Sequence, residues 1–315
     1  MERVPVIQTE HLYVSFQVGE LSVKSVCDVN VTIYDGEVLC LLGESGCGKS
    51  VFGNSILRLH PDNALVTGKI YYQGRDLTAL SDQEFLPLRG AELAWVPQSA
   101  ASSLNPLITV GNQVDEVYRL HIDNNRKAAR KNTLNLFKML GLPRLPYLAD
   151  DHPHELSGGM KQRVLVAMGT SAQPKFIVVD EPTKGLDAMR KGEVVNRIAH
   201  MKETYGSTML LITHDVAVAR RLATNIGVMY AGEIVEYGPR DEVLDHPKHP
   251  YTQGLIAALP QNGFHAIKGF SPAQKDMPTG CRFNPRCPKC TQQCVDNHPE
   301  LEEGAHTARC FHAGI

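Results

Sequence analysis

Gly43-Glu44-Ser45-Gly46-Cys47-Gly48-Lys49-Ser50 decides how this chain is read. It has the form G-x-x-x-x-G-K-[ST]. The apolar run Val38–Leu42 precedes it, and a helix-like stretch, Lys49–Leu59, follows. Strand, loop and helix in that order are the context such a loop needs. Glycines let the backbone curl so that successive N–H groups face an anion. The helix adds its positive end. Lys49 is placed to reach the β- and γ-phosphates of a nucleotide, and the Ser50 hydroxyl to ligate Mg²⁺.

Phe176-Ile177-Val178-Val179-Asp180-Glu181 supplies the second half of that chemistry. Four apolar residues make a buried strand, and two carboxylates follow. Asp180 is expected to hold Mg²⁺ through water, and Glu181 to orient or deprotonate the attacking water. Phosphoryl transfer needs this division between charge neutralisation and nucleophile positioning.

Composition is that of a chain able to bury a core. The chain has 315 residues, 43% of them hydrophobic, and a formal net charge of −2. It carries no long basic run, which argues against nucleic acid as a partner. Its apolar runs are strand-length, well short of the ~18 residues of a membrane span. Met1–Glu10 does not read as a signal peptide. The expected location is cytosolic. Apolar runs alternate with helix-like stretches, the pattern of an α/β fold. Strands are expected at Val6–Gln8, Leu12–Phe16, Cys27–Ile33, Val38–Leu42, Phe176–Asp180 and Thr208–Thr213. Helices are expected over much of Thr109–Ala172 and at Ala188–Tyr205, with the charged run Asn124–Lys138 as a solvated face. Gly263–Gly280 has linker composition.

Leu156-Ser157-Gly158-Gly159-Met160-Lys161-Gln162 resembles the signature motif of ATP-binding-cassette (ABC) ATPases. Other pieces match that family in order: Phe16 the adenine-stacking aromatic, Gln98 the Q-loop glutamine, Gly185-Leu186-Asp187 the D-loop and His214 the switch histidine. Tyr13 is an alternative stacking ring, and a helix cap is the bland reading of His214.

The resemblance implies a phosphate-loop ABC ATPase core over residues 5–240, with an antiparallel β subdomain and a helical signature subdomain at about 99–172. It implies nucleotide contacts from Phe16, from the loop residues Gly43, Glu44, Ser45, Gly46, Cys47, Gly48, Lys49 and Ser50, and from Asp187. Ser157, Gly158 and Gly159 would cover ATP held by a partner cassette. Glu181, His214 and Gln98 are the implied catalytic residues. Ser50, Gln98 and Asp180 are the implied Mg²⁺ ligands.

Ser103-Leu104-Asn105-Pro106, His249-Pro250-Tyr251-Thr252 and Gly280-Cys281-Arg282-Phe283-Asn284-Pro285-Arg286-Cys287-Pro288 look like the ATPases of oligopeptide, dipeptide and nickel importers. The chain departs from that pattern at Ser99-Ala100-Ala101-Ser102 and at Thr183-Lys184-Gly185. The likeness implies peptide import, with nickel or metal-chelate import as the alternative. It also implies a second related ATPase in a heterodimer, two membrane permease subunits, an extracytoplasmic solute-binding protein, and peripheral attachment at the cytoplasmic membrane face. A non-transport ABC ATPase would bring two cassettes, a coiled coil or a basic surface, and none is read here.

Residues 241–315 are expected to form a small cysteine-rich extension. Cys281, Cys287, Cys290, Cys294 and Cys310 crowd into it, spaced C-x5-C-x2-C-x3-C-x15-C. Clustered thiols in a reducing compartment suggest metal, with reduced thiols holding no metal as the alternative. Cys281, Cys287, Cys294 and Cys310 match relatives that hold a [4Fe–4S] cluster, and four thiolates suit Zn²⁺ equally well.

Overall fold

The computed structural model describes residues 3–185, 188–273, 276–302 and 304–313, with backbone alone at 188–190. In chain order its strands are β1 (Pro5–Val18), β2 (Leu21–Tyr34), β3 (Val38–Leu42), β4 (Ala64–Tyr72), β5 (Arg75–Asp76), β6 (Leu93–Val96), β7 (Phe176–Asp180), β8 (Thr208–Ile212), β9 (Asn225–Tyr230), β10 (Glu233–Pro239) and β11 (Thr307–Ala308). The chain divides into two compact units. One holds residues 7–33, 38–78 and 212 onward; the other holds those up to 6, 34–37 and 79–211.

In the first unit an antiparallel sheet runs β2-β1-β4-β5. The two short strands expected near the N-terminus are one long strand, β1, whose register against β4 shifts between Glu10 and Tyr13. Strand β4 escapes the sequence reading because most of it is exposed and its side chains show no alternating apolar face. The same unit carries the run β11-β10-β9-β3. Strand β3 pairs in parallel with β9, from Leu39↔Asn225 to Leu42↔Val228, and all five of its residues are buried. A strand covered on both faces needs such a continuous apolar run.

The C-terminal stretch belongs to this unit and is not a free-standing domain. Its elements are short: helices Arg240–Asp245, Pro250–Ala257 and Gln292–Asp296, and β11 against β10. Large rings hold it in place. Tyr230, Tyr251 and Phe283 are buried, with ring centroids 4.6 to 5.4 Å apart. Phe283 packs on the rings of Tyr230 from β9 and Tyr251, so apolar contacts with the rest of the unit anchor this short stretch.

In the second unit the strands run β8-β7-β6. Strands β6 and β7 are parallel, from Leu93↔Phe176 to Val96↔Val179. Around them lie the helices Ala100–Ser103, Val110–His121, Arg126–Met139, Gly158–Thr170 and Ala188–Tyr205. The charged run is more than a solvated face. Arg130 reaches Asp115 at 2.8 Å and Asp150 at 3.1 Å, and Thr133 donates to the same Asp115 at 2.5 Å. These bonds tie the helix Arg126–Met139 to Val110–His121. No helix among the described residues is long and apolar enough to cross a membrane.

Candidate functional site

The glycine-rich loop leaves β3 at Leu42 and enters the helix Lys49–Ile56. Two of its glycines are required by close approach. A Cβ on Gly43 would lie 2.2 Å from the Met229 carbonyl oxygen. One on Gly48, where φ is 109°, would lie 2.2 Å from that of Ser25. No L side chain fits either place without moving backbone. Lys49 is buried, and its ammonium donates to the carbonyl oxygens of Gly43 and Glu44, each at 2.8 Å. Ser45, Gly46 and Ser50 face solvent. Burial pushes the Cys47 thiol up, so it stays neutral in the loop wall.

Glu44 is held by residues that the sequence reading did not connect to the loop. Its N–H donates to the Tyr251 hydroxyl at 3.0 Å. Its carboxylate accepts two bonds from the Arg286 guanidinium, at 2.9 and 3.0 Å, and one from Ser271 at 2.7 Å. Burial would raise the Glu44 pKa, but the bonds from Arg286 and Ser271 outweigh it and hold it below the usual carboxylate range. Tyr251 and Arg286 lie within motifs that mark the importer resemblance, and their spacing carries no sign of this contact. Ser271 lies in what reads as linker.

Phe16 is half-buried and meets His60 edge to face, with centroids 6.0 Å apart. It follows Leu12 and Val14 along the buried face of β1, whereas Tyr13 is 43% exposed on the opposite face. His60 had no signal in the sequence. His214 follows β8 and is exposed. It does not cap the helix Val216–Leu222. Asp215 does, accepting from the N–H groups of Ala217 and Val218 at 3.0 and 3.4 Å.

In the second unit Asp180 ends β7, and Asp180 and Glu181 are both buried. Glu181 has φ 47°, so the chain turns sharply at the second carboxylate. The Lys184 N–H closes that turn on the Glu181 carbonyl at 3.1 Å. Gln98 lies half-buried in the loop after β6. Ser157 caps the helix Gly158–Thr170 through its hydroxyl, which accepts from the Met160 N–H at 3.4 Å. Ser157 and Gly158 are exposed, and Gly159 is buried. An exposed helix N-terminus opening on glycines can receive a phosphate. Asp187 lies outside the described residues.

The expected metal-holding cysteine cluster is not supported. Among the described residues no group of three or more His, Cys, Asp or Glu side chains is arranged to hold a metal ion. Cys294 is buried and its sulfur engages Thr291 at 3.4 Å and His312 at 3.5 Å, while Cys290 is exposed.

A glycine loop cradled by backbone at the head of a helix, and a carboxylate pair closing a buried parallel strand, are the parts of a phosphate-loop ATPase. Family models match residues 26–184 to the ABC transporter family and residues 235–294 to the oligopeptide/dipeptide transporter C-terminal region. The chain is 37% identical over 298 residues to the oligopeptide transport ATP-binding protein AppD of Bacillus subtilis, covering 92% of this chain and 91% of that one. It is 36% identical over 312 residues to the dipeptide transport ATP-binding protein DppD of Haemophilus influenzae, covering 96% and 94%. Among solved structures it resembles the dimeric bacterial ABC transporter cassette MJ0796, with a TM-score of 0.67 and 28% identity over 74% of this chain and 98% of that one. The chain belongs to the ABC transporter family, as an ATP-hydrolysing cassette.

Proposed function

We propose that this chain powers the import of peptides, as the peripheral ATPase on the cytoplasmic face of a membrane transporter. The observation that carries this reading is its likeness, over nearly its whole length and including residues 235–294, to ATP-binding proteins of oligopeptide and dipeptide transport. Its partners are two membrane permease subunits, an extracytoplasmic solute-binding protein and a second, related ATPase. The test is ATP-driven uptake of labelled di- and oligopeptides into proteoliposomes holding the chain with its co-purifying subunits. Uptake of nickel without peptide would move the assignment to metal import.

MgATP is the substrate. Lys49 and the loop N–H groups bind its phosphates, Phe16 supports the adenine, and Ser50, Asp180 and Gln98 are the side chains for the Mg²⁺ that arrives with it. Glu181 positions and deprotonates the attacking water, His214 contacts the γ-phosphate, and Asp187 belongs to the D-loop. Ser157, Gly158 and Gly159 serve ATP held by the partner cassette. The exposed cap at Ser157 supports that role, because the first N–H groups of a helix have no acceptor within it. ATP thereby favours the closed pair, and hydrolysis removes that preference. A serine-to-alanine change in the partner's signature should then slow hydrolysis of ATP bound to this chain; unaltered turnover would sink the shared-site reading.

A metal centre on Cys281, Cys287, Cys294 and Cys310 is the finer reading of the tail. What supports it is proximity: burial first, and then the neighbouring Cys294, Cys310 and Cys287, together push the Cys281 thiol up to about 12. About four irons and four sulfides per chain after anaerobic purification would identify a cubane cluster, and about one zinc a structural zinc site. Absence of both metals would leave reduced thiols.

A further inference from the structure

The side chain of Arg286 is 5% exposed and pairs its guanidinium with one carboxylate, that of Glu44, while its Nη1 also reaches the hydroxyls of Ser271 at 3.4 Å and Tyr230 at 3.5 Å. The two residues are 242 positions apart. The remaining nitrogen, Nε, donates to the Lys268 carbonyl at 3.2 Å, so the fork is held in plane from behind. The rings of Tyr230 and Phe283 lie under it, their centroids 5.7 and 5.9 Å from its central carbon. On the backbone side the Tyr251 hydroxyl takes the Glu44 N–H. Glu44 is thus gripped at both ends by the C-terminal stretch, through Tyr251, Ser271 and Arg286.

This grip has an electrostatic consequence. Glu44 places a carboxylate in a loop whose ligand is a polyphosphate. An uncompensated carboxylate there repels the ligand, and the repulsion grows as water is excluded. A bidentate guanidinium cancels that charge and fixes its direction, which a lysine does less well.

We propose that Arg286 is a positioning residue for ATP: by neutralising and orienting Glu44 it keeps the phosphate loop receptive, so that the C-terminal stretch forms part of the nucleotide-binding apparatus. The proposal rests on the reading of Gly43–Ser50 as the ATP loop. It makes the arginine necessary only while residue 44 is a carboxylate. A merely structural arginine would be needed whatever stands at 44.

The experiment is equilibrium titration of the full-length chain with MgATP, for the wild type, R286A, R286K, E44Q, R286A/E44Q and K49A. Thermal unfolding without nucleotide checks that each is folded. R286A should weaken affinity about tenfold, with R286K between it and the wild type. In the E44Q background the same arginine change should alter affinity by less than about twofold. If K49A binds weakly while R286A binds as the wild type does, the proposal is wrong. It is equally wrong if R286A costs as much in the E44Q background as it does with Glu44 intact, since the arginine would then act through packing alone. If K49A itself leaves affinity unchanged, the loop reading fails and takes this inference with it. Should R286A not fold, R286K against R286K/E44Q makes the same comparison.

Discussion

The Lys49 ammonium donates to the carbonyl oxygen of Gly43 at 2.8 Å, so the loop's lysine is tied back onto the loop's first residue. A second bond, to the Glu44 carbonyl, has the same length. The cation therefore sits inside the curl of the loop, where the phosphates bind in the proposed function. Its position is fixed by two carbonyl oxygens of the loop itself.

Lys49→Ala should weaken MgATP binding by about tenfold or more, roughly 1.4 kcal/mol per factor of ten. The loss follows from removing a fixed positive charge from the phosphates. Equilibrium nucleotide titration measures it directly, and wild-type affinity would contradict the role given to Lys49.

Glu181→Gln should abolish steady-state hydrolysis while leaving ATP binding in place. The amide keeps the size and the left-handed turn at φ 47° but cannot accept a proton. A drop of at least about a hundredfold is expected for loss of a general base. Phosphate release by the assembled transporter tests it, and near-normal turnover would assign the base elsewhere.

Gly48→Ala and Gly46→Ala should differ in folding stability. Both residues have positive φ, 109° and 82°. At Gly48 the new Cβ also meets the Ser25 carbonyl oxygen at 2.2 Å, whereas at Gly46 nothing lies within 4 Å. Gly46→Ala should cost about 1 kcal/mol for the backbone conformation alone. Gly48→Ala should cost about 1–3 kcal/mol more, because the loop has to shift. Urea unfolding of the full chain compares them, and equal losses would mean the Gly48 backbone moves freely.

His249 should make stability fall in acid. The residue is 1% exposed, and its Nδ1 accepts the Tyr251 N–H at 3.0 Å, which only an unprotonated nitrogen can do. Burial pushes its pKa down from an ordinary 6.5 to about 3. Between those values the unfolded chain takes up a proton that the folded chain refuses. The stability this group contributes is therefore complete above about pH 6.5 and shrinks as pH falls, by up to about 1.4 kcal/mol per unit. His249→Asn keeps a side-chain acceptor for the helix Pro250–Ala257 and removes the titration. Denaturant unfolding at pH 7, 6 and 5 should show a shallower decline for the variant. Parallel slopes would mean the ring does not stay neutral when folded.

Local chemistry was legible in the sequence alone. The strand ends at Leu42 and Asp180 matched because β3 and β7 are continuous apolar runs, buried throughout and stopped by a glycine loop and a carboxylate pair. The phosphate loop could be read because its demands, glycine at tight approaches and a lysine at the helix start, fall within eight consecutive residues. Strand β4 was not legible, since its exposed side chains follow no period. The helix run with Arg130 was read as solvated because Asp115 and Asp150 stand on other segments. The cysteine spacing suggests a metal site, but among the described residues no group is arranged to hold one, and what the spacing could not show is that Phe283 packs that stretch against Tyr230 and Tyr251. Only tertiary structure could decide that Glu44 belongs to Arg286. Their contact depends on how the buried rings of Tyr230, Tyr251 and Phe283 stack, and a pairing across 242 residues leaves no periodic trace along the chain.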